Sequence, residues 1–401
     1  MSPPDTITAR RFLASFMLLS VVSGLAIGMG RIVTTFYVIG LGAGAAEIGA
    51  IGAAEALGKM AVTLPAGFLI HRFGARRVYS TATIGSMLFT ALTPLSKIWL
   101  GVALMRTLVG FCVPFRVVAM NSAFLQRLRE MGASRAGWYR ASQSVGLTLL
   151  APTAAALLLA ATNYFVAYLF VSLCFAFMIA FSTTFLPSDT AVSQADEQTS
   201  VVRELKALLA HKTVAESCFI EFVSHIVNAL FTTFIIVLAV NELHLPAVQA
   251  TTLISVQGVT AVGALVLLGP ALGTMQPKHA LALAIGAGVA SLVLLGRSTQ
   301  FVGLALAATL LSLASALVHL INMNQLSRLH VSMSKIASLY NLSGMLGALV
   351  GATAGGILAE AIGLRSMFVA WVPILAFTVL VCAAVRRWRS VRVISPAEGT
   401  S

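Results

Sequence analysis

Charge is scarce in this chain. Asp, Glu, Lys and Arg together make up 10% of its 401 residues, and 58% are hydrophobic. Soluble domains carry about 25% charged residues, so this composition excludes a water-facing globular surface. Cysteine is rarer still: Cys112, Cys174, Cys218 and Cys382 are widely spaced, lie in apolar stretches and form no C-x-x-C or Cys/His cluster. That pattern excludes a disulfide framework and a thiolate metal centre, and the four read as reduced packing residues. No Walker-type phosphate loop is present, and no nucleophile–base set or metal cluster falls on adjacent helix faces. The sequence therefore offers neither ATP hydrolysis nor an enzyme active site, and no cofactor or metal is expected. Acidic residues, 13 against 26 Lys and Arg, leave a formal charge of +13. No aromatic–basic interleaving accompanies that charge, so nucleic acid is not the expected partner; basic loops on one face of a membrane account for it.

What the chain has in abundance is long apolar runs, with a mean hydropathy of +0.94. Windows of about twenty apolar residues recur, long enough to cross a lipid bilayer as helices. Twelve segments are expected, at about 12–39, 47–70, 77–95, 98–126, 137–160, 163–186, 214–240, 246–269, 278–296, 299–327, 333–359 and 364–386. The first, behind Arg10 and Arg11, also has the look of a signal peptide, but it pairs with a later membrane segment and is kept as a span. Lys and Arg collect on one face: Arg10, Arg11, Arg72, Arg76, Arg77, the 127–140 and 203–212 stretches, Lys278, Arg328, Lys335 and Arg386 onward. The opposite face has Lys97, Arg297 and Arg365. The positive-inside rule then predicts a multi-pass protein of the cytoplasmic (inner) membrane with both termini in the cytoplasm.

The two halves echo each other at a shift of about 200 residues. "TTF" at 34–36 returns at 232–234, Glu55 falls against Gln257, Gly85 against Gly286, and Asn121 against Asn322; from Arg135 and Lys335 the fifth and eleventh segments align without gaps. The expected organisation is a six-helix half over 1–186, a cytoplasmic linker over 187–213 containing one short amphipathic helix, and a second six-helix half over 214–401 with a basic tail. Six helices, linker, six helices is the layout of a pseudo-symmetric transporter.

Between the second and third segments the chain reads "GFLIHRFGARR". This resembles the signature loop of the major facilitator superfamily, with Gly67, Arg72, Gly74, Arg76 and Arg77 at matching positions and His71 where the family has Asp. "RTLVG", Arg106 to Gly110, resembles the family's R-x-x-x-G motif in the fourth helix, whereas "GLTLLAP" has Ala151 before Pro152 where the exporter motif has Gly. The resemblance implies an all-α membrane fold of two pseudo-symmetric six-helix halves. It also implies a gating role for the loop and a central cavity lined by helices one, four, seven and ten.

An ionisable side chain inside a span costs about 2.5–3.5 kcal/mol and needs a partner or a water-filled cavity. Such residues fall on the first span (Arg31), the second (Glu55, Lys59), the fourth (Arg106, Arg116), the seventh (Glu216, Glu221, His225) and the tenth (His319). Stripes at helical spacing accompany them: Ser20, Ser23, Arg31 and Thr34; Ser217, Glu221, His225, Asn228 and Thr232; Ser312, Ser315, His319, Asn322 and Gln325. A polar stripe facing lipid is untenable, so these faces turn inward. The ladder Gly344, Gly347, Gly351, Gly355 suits close helix contact.

Glu55 and Lys59, four apart with Glu first, form either a structural ion pair or part of a coupling site. His319 is either a hydrogen-bonded packing residue or a ligand. Arg106 has no carboxylate partner on its own helix. Arginine's planar fork suits carboxylate or phosphate. The expected substrate is thus a small organic anion: a carboxylate- or phosphate-bearing metabolite or a siderophore-like compound. Its contacts would be Arg31, Arg106, Arg116, Asn228, His319 and Asn322. Glu221, His225 and Glu55 are the candidates for proton coupling, with H+ the expected coupling ion and a monomer the expected state. A multidrug/H+ exporter of neutral or lipophilic compounds and a non-transporting sensor are the alternatives.

Overall fold

In the computed structural model, which describes residues 6–131, 142–184, 211–272, 277–326 and 333–378, the chain forms twelve helical segments and, among these residues, no strand. The first half contains α1 (Thr6–Gly40), α2 (Ala45–Phe73), α3 (Ala75–Leu92), α4 (Trp99–Met131), α5 (Ser142–Ala161) and α6 (Tyr164–Ser182). The second contains α7 (Lys212–Glu242), α8 (Ala247–Leu272), α9 (Pro277–Arg297), α10 (Phe301–Leu326), α11 (Met333–Ile362) and α12 (Leu364–Thr378). Every expected span has a counterpart. The linker, with its expected amphipathic helix, and the basic tail with Cys382 lie outside the described residues.

By length and composition nine of the described helices, α1 and α4 to α11, are apolar enough to cross a membrane. Over its described residues α12 is a shorter apolar helix. Two others are more polar: α2 carries Glu47, Glu55, Lys59 and Arg72, and α3 opens on Arg76 and Arg77. Apolar side chains such as Leu100, Leu157, Leu173, Leu267 and Val302 stand exposed on the outer surface. A hydrocarbon surround stabilises such a belt, while the backbone satisfies itself within each helix.

Local chemistry sets the helix ends. Asn163 caps α6 by accepting from Val166 N at 3.0 Å. α2 and α3 are joined by the single residue Gly74, at φ +84°, a conformation that disfavours any side chain. Two helices depart from the regular ladder: α5 is π-helical over Val145–Leu150 and α7 over Leu238–Glu242. The first of these departures qualifies the gapless match of the fifth and eleventh segments. α11 runs as a regular α-helix from Met333 to Ile362, so the wider turn in α5 shifts their structural register midway.

Each half packs chiefly on itself, α2 against α4 and α3 against α6 in the first, α7 against α11 and α9 against α10 in the second. Two pairs make the main bridges between the halves, α2 with α11 and α5 with α8, and α7 touches α1 and α2 more lightly. Under the 200-residue echo these pairs are counterparts of each other. Small residues bring the bridging backbones together. A Cβ at Gly49 would lie 2.4 Å from the Ala352 carbonyl oxygen, and one at Gly258 would lie 1.9 Å from Thr148 Cβ. The ladder on α11 faces α7: a Cβ at Gly347 would be 2.2 Å from the Phe222 carbonyl oxygen and one at Gly351 2.5 Å from that of Ile226.

Candidate functional site

The two bridging pairs leave a space between them. A cavity of about 420 Å3 lies between α1, α2, α4, α7 and α11. Its charged lining is Arg31, Glu55, Lys59 and Arg106 from the first half and Glu221 and His225 from the second.

Glycine explains how Glu55 and Arg106 come to face each other. A Cβ at Gly58 would sit 2.4 Å from the Thr107 carbonyl oxygen, and one at Gly110 2.5 Å from the Glu55 carbonyl oxygen. The backbones of α2 and α4 therefore touch, and Arg106, one turn before Gly110, reaches across to Glu55. The spacing in "RTLVG" is what this contact requires: the glycine admits the neighbouring helix and the arginine meets its carboxylate.

Glu55 is buried and divided between cations. Arg106 Nη2 hydrogen-bonds its Oε2 and Lys59 Nζ its Oε1. Arg31 Nη2 stands 4.0 Å from Oε1. The side chains differ in their access to the cavity: 43% of Arg31 is exposed, 21% of Lys59 and 7% of Arg106. Arg106 finds its carboxylate on the neighbouring helix α2. Glu55 serves Arg106 as well as Lys59, and Arg31 is the cation presented to the cavity.

A second cluster occupies α7 and α11. His225 Nε2 lies 3.1 Å from Glu221 Oε1, and the Tyr340 hydroxyl donates to Glu221 Oε2. Asn322 Nδ2 lies 3.3 Å from the Tyr340 hydroxyl and 3.4 Å from the Ser217 carbonyl oxygen, tying α10 to both helices. Gly344 leaves the room that His225 fills, since a Cβ there would be 3.0 Å from its Nε2.

Three expected ligands stand elsewhere. Arg116 is buried with its guanidinium 4.8 Å from the Phe175 ring centre on α6, a cation–π contact outside the cavity lining. His319 packs edge-on to Tyr340, with ring centres 6.3 Å apart. Asn322 is fully buried and braces Tyr340. None of the three lines the cavity. Asn228 does, and it accepts from Gln257 Nε2 at 3.2 Å. Helices two and eleven, which the resemblance did not place at the cavity, contribute to its wall because they close the seam beside it.

Sequence reasoning missed Tyr340 and Tyr168, whose hydroxyl donates to Thr34 Oγ1 at 3.0 Å. Both lie on helices whose cores carry no charge, so the search for ionisable groups passed over them. Gln257 was visible only as the position opposite Glu55.

Of the signature loop, Gly67 lies within the last turns of α2, and Gly74 makes the turn. Arg72 stacks on Phe73 at 5.4 Å, and Arg77 is exposed. The side chain of His71 lies outside the described set.

Comparison with known proteins places this arrangement. The family model of the Major Facilitator Superfamily matches residues 11–333. A point-mutant structure of the nucleoside transporter NupG superimposes with a TM-score of 0.81 at 15% identity, covering 93% of this chain and 99% of that one. A bacterial homologue of the human lysosomal transporter Spinster, in an inward-facing and unoccupied conformation, gives 0.74 at 13% identity over 98% and 100%. A POT family transporter in complex with a thioalcohol-conjugated peptide gives 0.73 at 10% over 96% and 97%. At these identities the likeness is one of fold. None of the curated protein sequences matches the chain.

Proposed function

Because the chain belongs to the major facilitator superfamily, we propose that it is a secondary transporter that moves a small organic anion across the cytoplasmic membrane by alternating access. The observation that carries this reading is Arg31: a guanidinium 43% exposed in a cavity where three cations face Glu55. Arg106 and Lys59 hold Glu55, so it cannot fully neutralise Arg31 as well, and a substrate carboxylate or phosphate completes the coordination of its fork. A volume of about 420 Å3 suits a metabolite-sized ligand.

Glu221 and His225 supply the proton-coupling pair. They lie on the cavity wall of the opposite half, and Tyr340 orients the carboxylate. In this scheme the halves, 1–186 and 214–401, rock about the cavity as a monomer, with the linker 187–213 and both termini in the cytoplasm. The surplus of cations disfavours a cationic drug as substrate. The described lining contains no Phe, Tyr or Trp on which a nucleobase would stack, which disfavours a nucleoside.

The test is a panel of organic anions, organic cations and nucleosides, scored by thermal shift on purified protein and by flux into proteoliposomes. Anions alone are expected to stabilise and to be carried. Arg31→Ala is expected to weaken anion binding on the order of 10- to 100-fold. It is expected to leave the fold intact, because Glu55 keeps Lys59 and Arg106. Undiminished anion flux through Arg31→Ala would end the proposal.

A further inference from the structure

A second chamber, of about 240 Å3, opens beside the charged one between α1, α5, α7, α8 and α10. It shares Arg31, Thr35, Asn228 and Thr232 with the first chamber, so the two adjoin and Arg31 borders both. Beyond Arg31 its described lining holds no ionisable group. Apolar side chains such as Ile32, Leu147 and Ile254 alternate in it with a band of amides and hydroxyls.

Two amides dominate the band. Gln257 Nε2 donates to Asn228 Oδ1 at 3.2 Å. That bond uses one Gln257 donor and one Asn228 acceptor site. The Asn228 amide N–H groups and the Gln257 side-chain carbonyl therefore keep hydrogen-bonding capacity within one pair of touching amides, a donor and an acceptor on the same wall. Hydroxyls engage the backbone behind each of them. Ser312 Oγ lies 2.6 Å from the Gln257 backbone carbonyl oxygen, and Thr232 Oγ1 donates to the Asn228 backbone carbonyl oxygen at 3.0 Å. Polar groups at this depth carry a desolvation cost that a matched partner removes. The complement of a donor beside an acceptor is an acceptor beside a donor, which is what a secondary amide presents.

Resting on the anionic reading above, we infer that the substrate is a carboxylate with a secondary amide in its body and a short apolar end, an N-acylated amino acid in chemical class. Its carboxylate sits on Arg31, its amide carbonyl accepts from Asn228, its amide N–H donates to Gln257, and its apolar end lies among Ile32, Leu147 and Ile254.

Three probes of matched length separate the parts: hexanoate, N-propanoylglycine and the neutral N-propanoylglycinamide, titrated calorimetrically into the purified full-length protein. N-propanoylglycine is expected to bind at least about tenfold more tightly than hexanoate, the worth of two hydrogen bonds in a dry site. Gln257→Leu is expected to bring that ratio to about one, and Arg31→Ala to weaken both carboxylates. Equal affinity of hexanoate and N-propanoylglycine in the unmodified protein overturns this inference and leaves the anionic reading standing. Equal affinity of N-propanoylglycine and its neutral amide overturns the anionic reading instead. Binding of neither carboxylate overturns the inference whatever the variants do, so it does not depend on their folding.

Discussion

Glu55 has more cationic neighbours than its carboxylate has oxygen atoms: Arg106, Lys59 and Arg31 surround one buried group. Removing one partner of a buried ion pair leaves an uncompensated charge at a cost of about 3–5 kcal/mol. The losses are therefore expected to be unequal. Glu55→Gln leaves three cations with no anion among them, whereas Arg106→Ala leaves Glu55 with Lys59 and Arg31. Thermal unfolding in detergent is expected to rank Glu55→Gln as the less stable variant, with the double variant well short of the sum of the two losses. Additive losses would mean that the two residues are energetically independent. At this scale the sequence was half legible. The charges themselves stood out because an apolar span makes each one costly, and Glu55 with Lys59 follows from helical spacing alone. The Arg106 contact depends on which face of α4 meets α2, and spacing along one helix carries no information about its neighbour. Tyr340 on Glu221 was illegible for the same reason, and a phenol raises no alarm in an apolar run.

Glycines decide how closely the helices approach. Gly347 and Gly351 place α11 against the backbone of α7, with no room for a Cβ at either position. Gly263 and Gly286 also lie within helices, but a Cβ there meets nothing within 4 Å. Gly347→Ala is accordingly expected to lower stability by about 1–3 kcal/mol through overpacking, and to displace His225 and Glu221 from the cavity wall. Gly286→Ala is expected to be neutral or slightly stabilising. Melting temperatures of the two variants, side by side, check this; equal values would show that α7 and α11 are free to part. The helix boundaries themselves were readable to within a few residues, because apolar runs broken by charge, Gly and Asn admit few other partitions. The π-helical stretch at Val145–Leu150 was not, since one residue of excess in a helix leaves no mark in an apolar composition.

For the whole molecule, the consequential contacts are the two bridging pairs. The seam between α2 and α11 brings a Cβ built at Gly52 to 3.4 Å from Ala352 Cβ, near the spacing a disulfide needs. In a background without the four native cysteines, Gly52→Cys with Ala352→Cys is expected to cross-link on oxidation. Flux should then fall to background and return on reduction, because alternating access requires this seam to part. Undiminished flux through the oxidised protein would refute rocking about it. The mixed lining of the cavity has a further electrical consequence. Arg31, Lys59 and Arg106 against Glu55 and Glu221 leave one positive charge in excess while His225 is neutral. Under the proposed anion transport, a monoanion that enters without a proton on the Glu221–His225 pair cancels it, so that loaded carrier crosses the membrane field as a neutral body and the empty one returns carrying charge. A proton carried with the anion makes the two crossings equal in charge. A full traverse of that field is worth about 2.3 kcal/mol per charge for each 100 mV. An imposed membrane potential should therefore change the rate of the empty return and leave the loaded step nearly untouched if the anion moves alone, and act alike on both steps if a proton moves with it. A dianionic cargo would give the loaded step a voltage dependence of opposite sign, while the empty return kept its own.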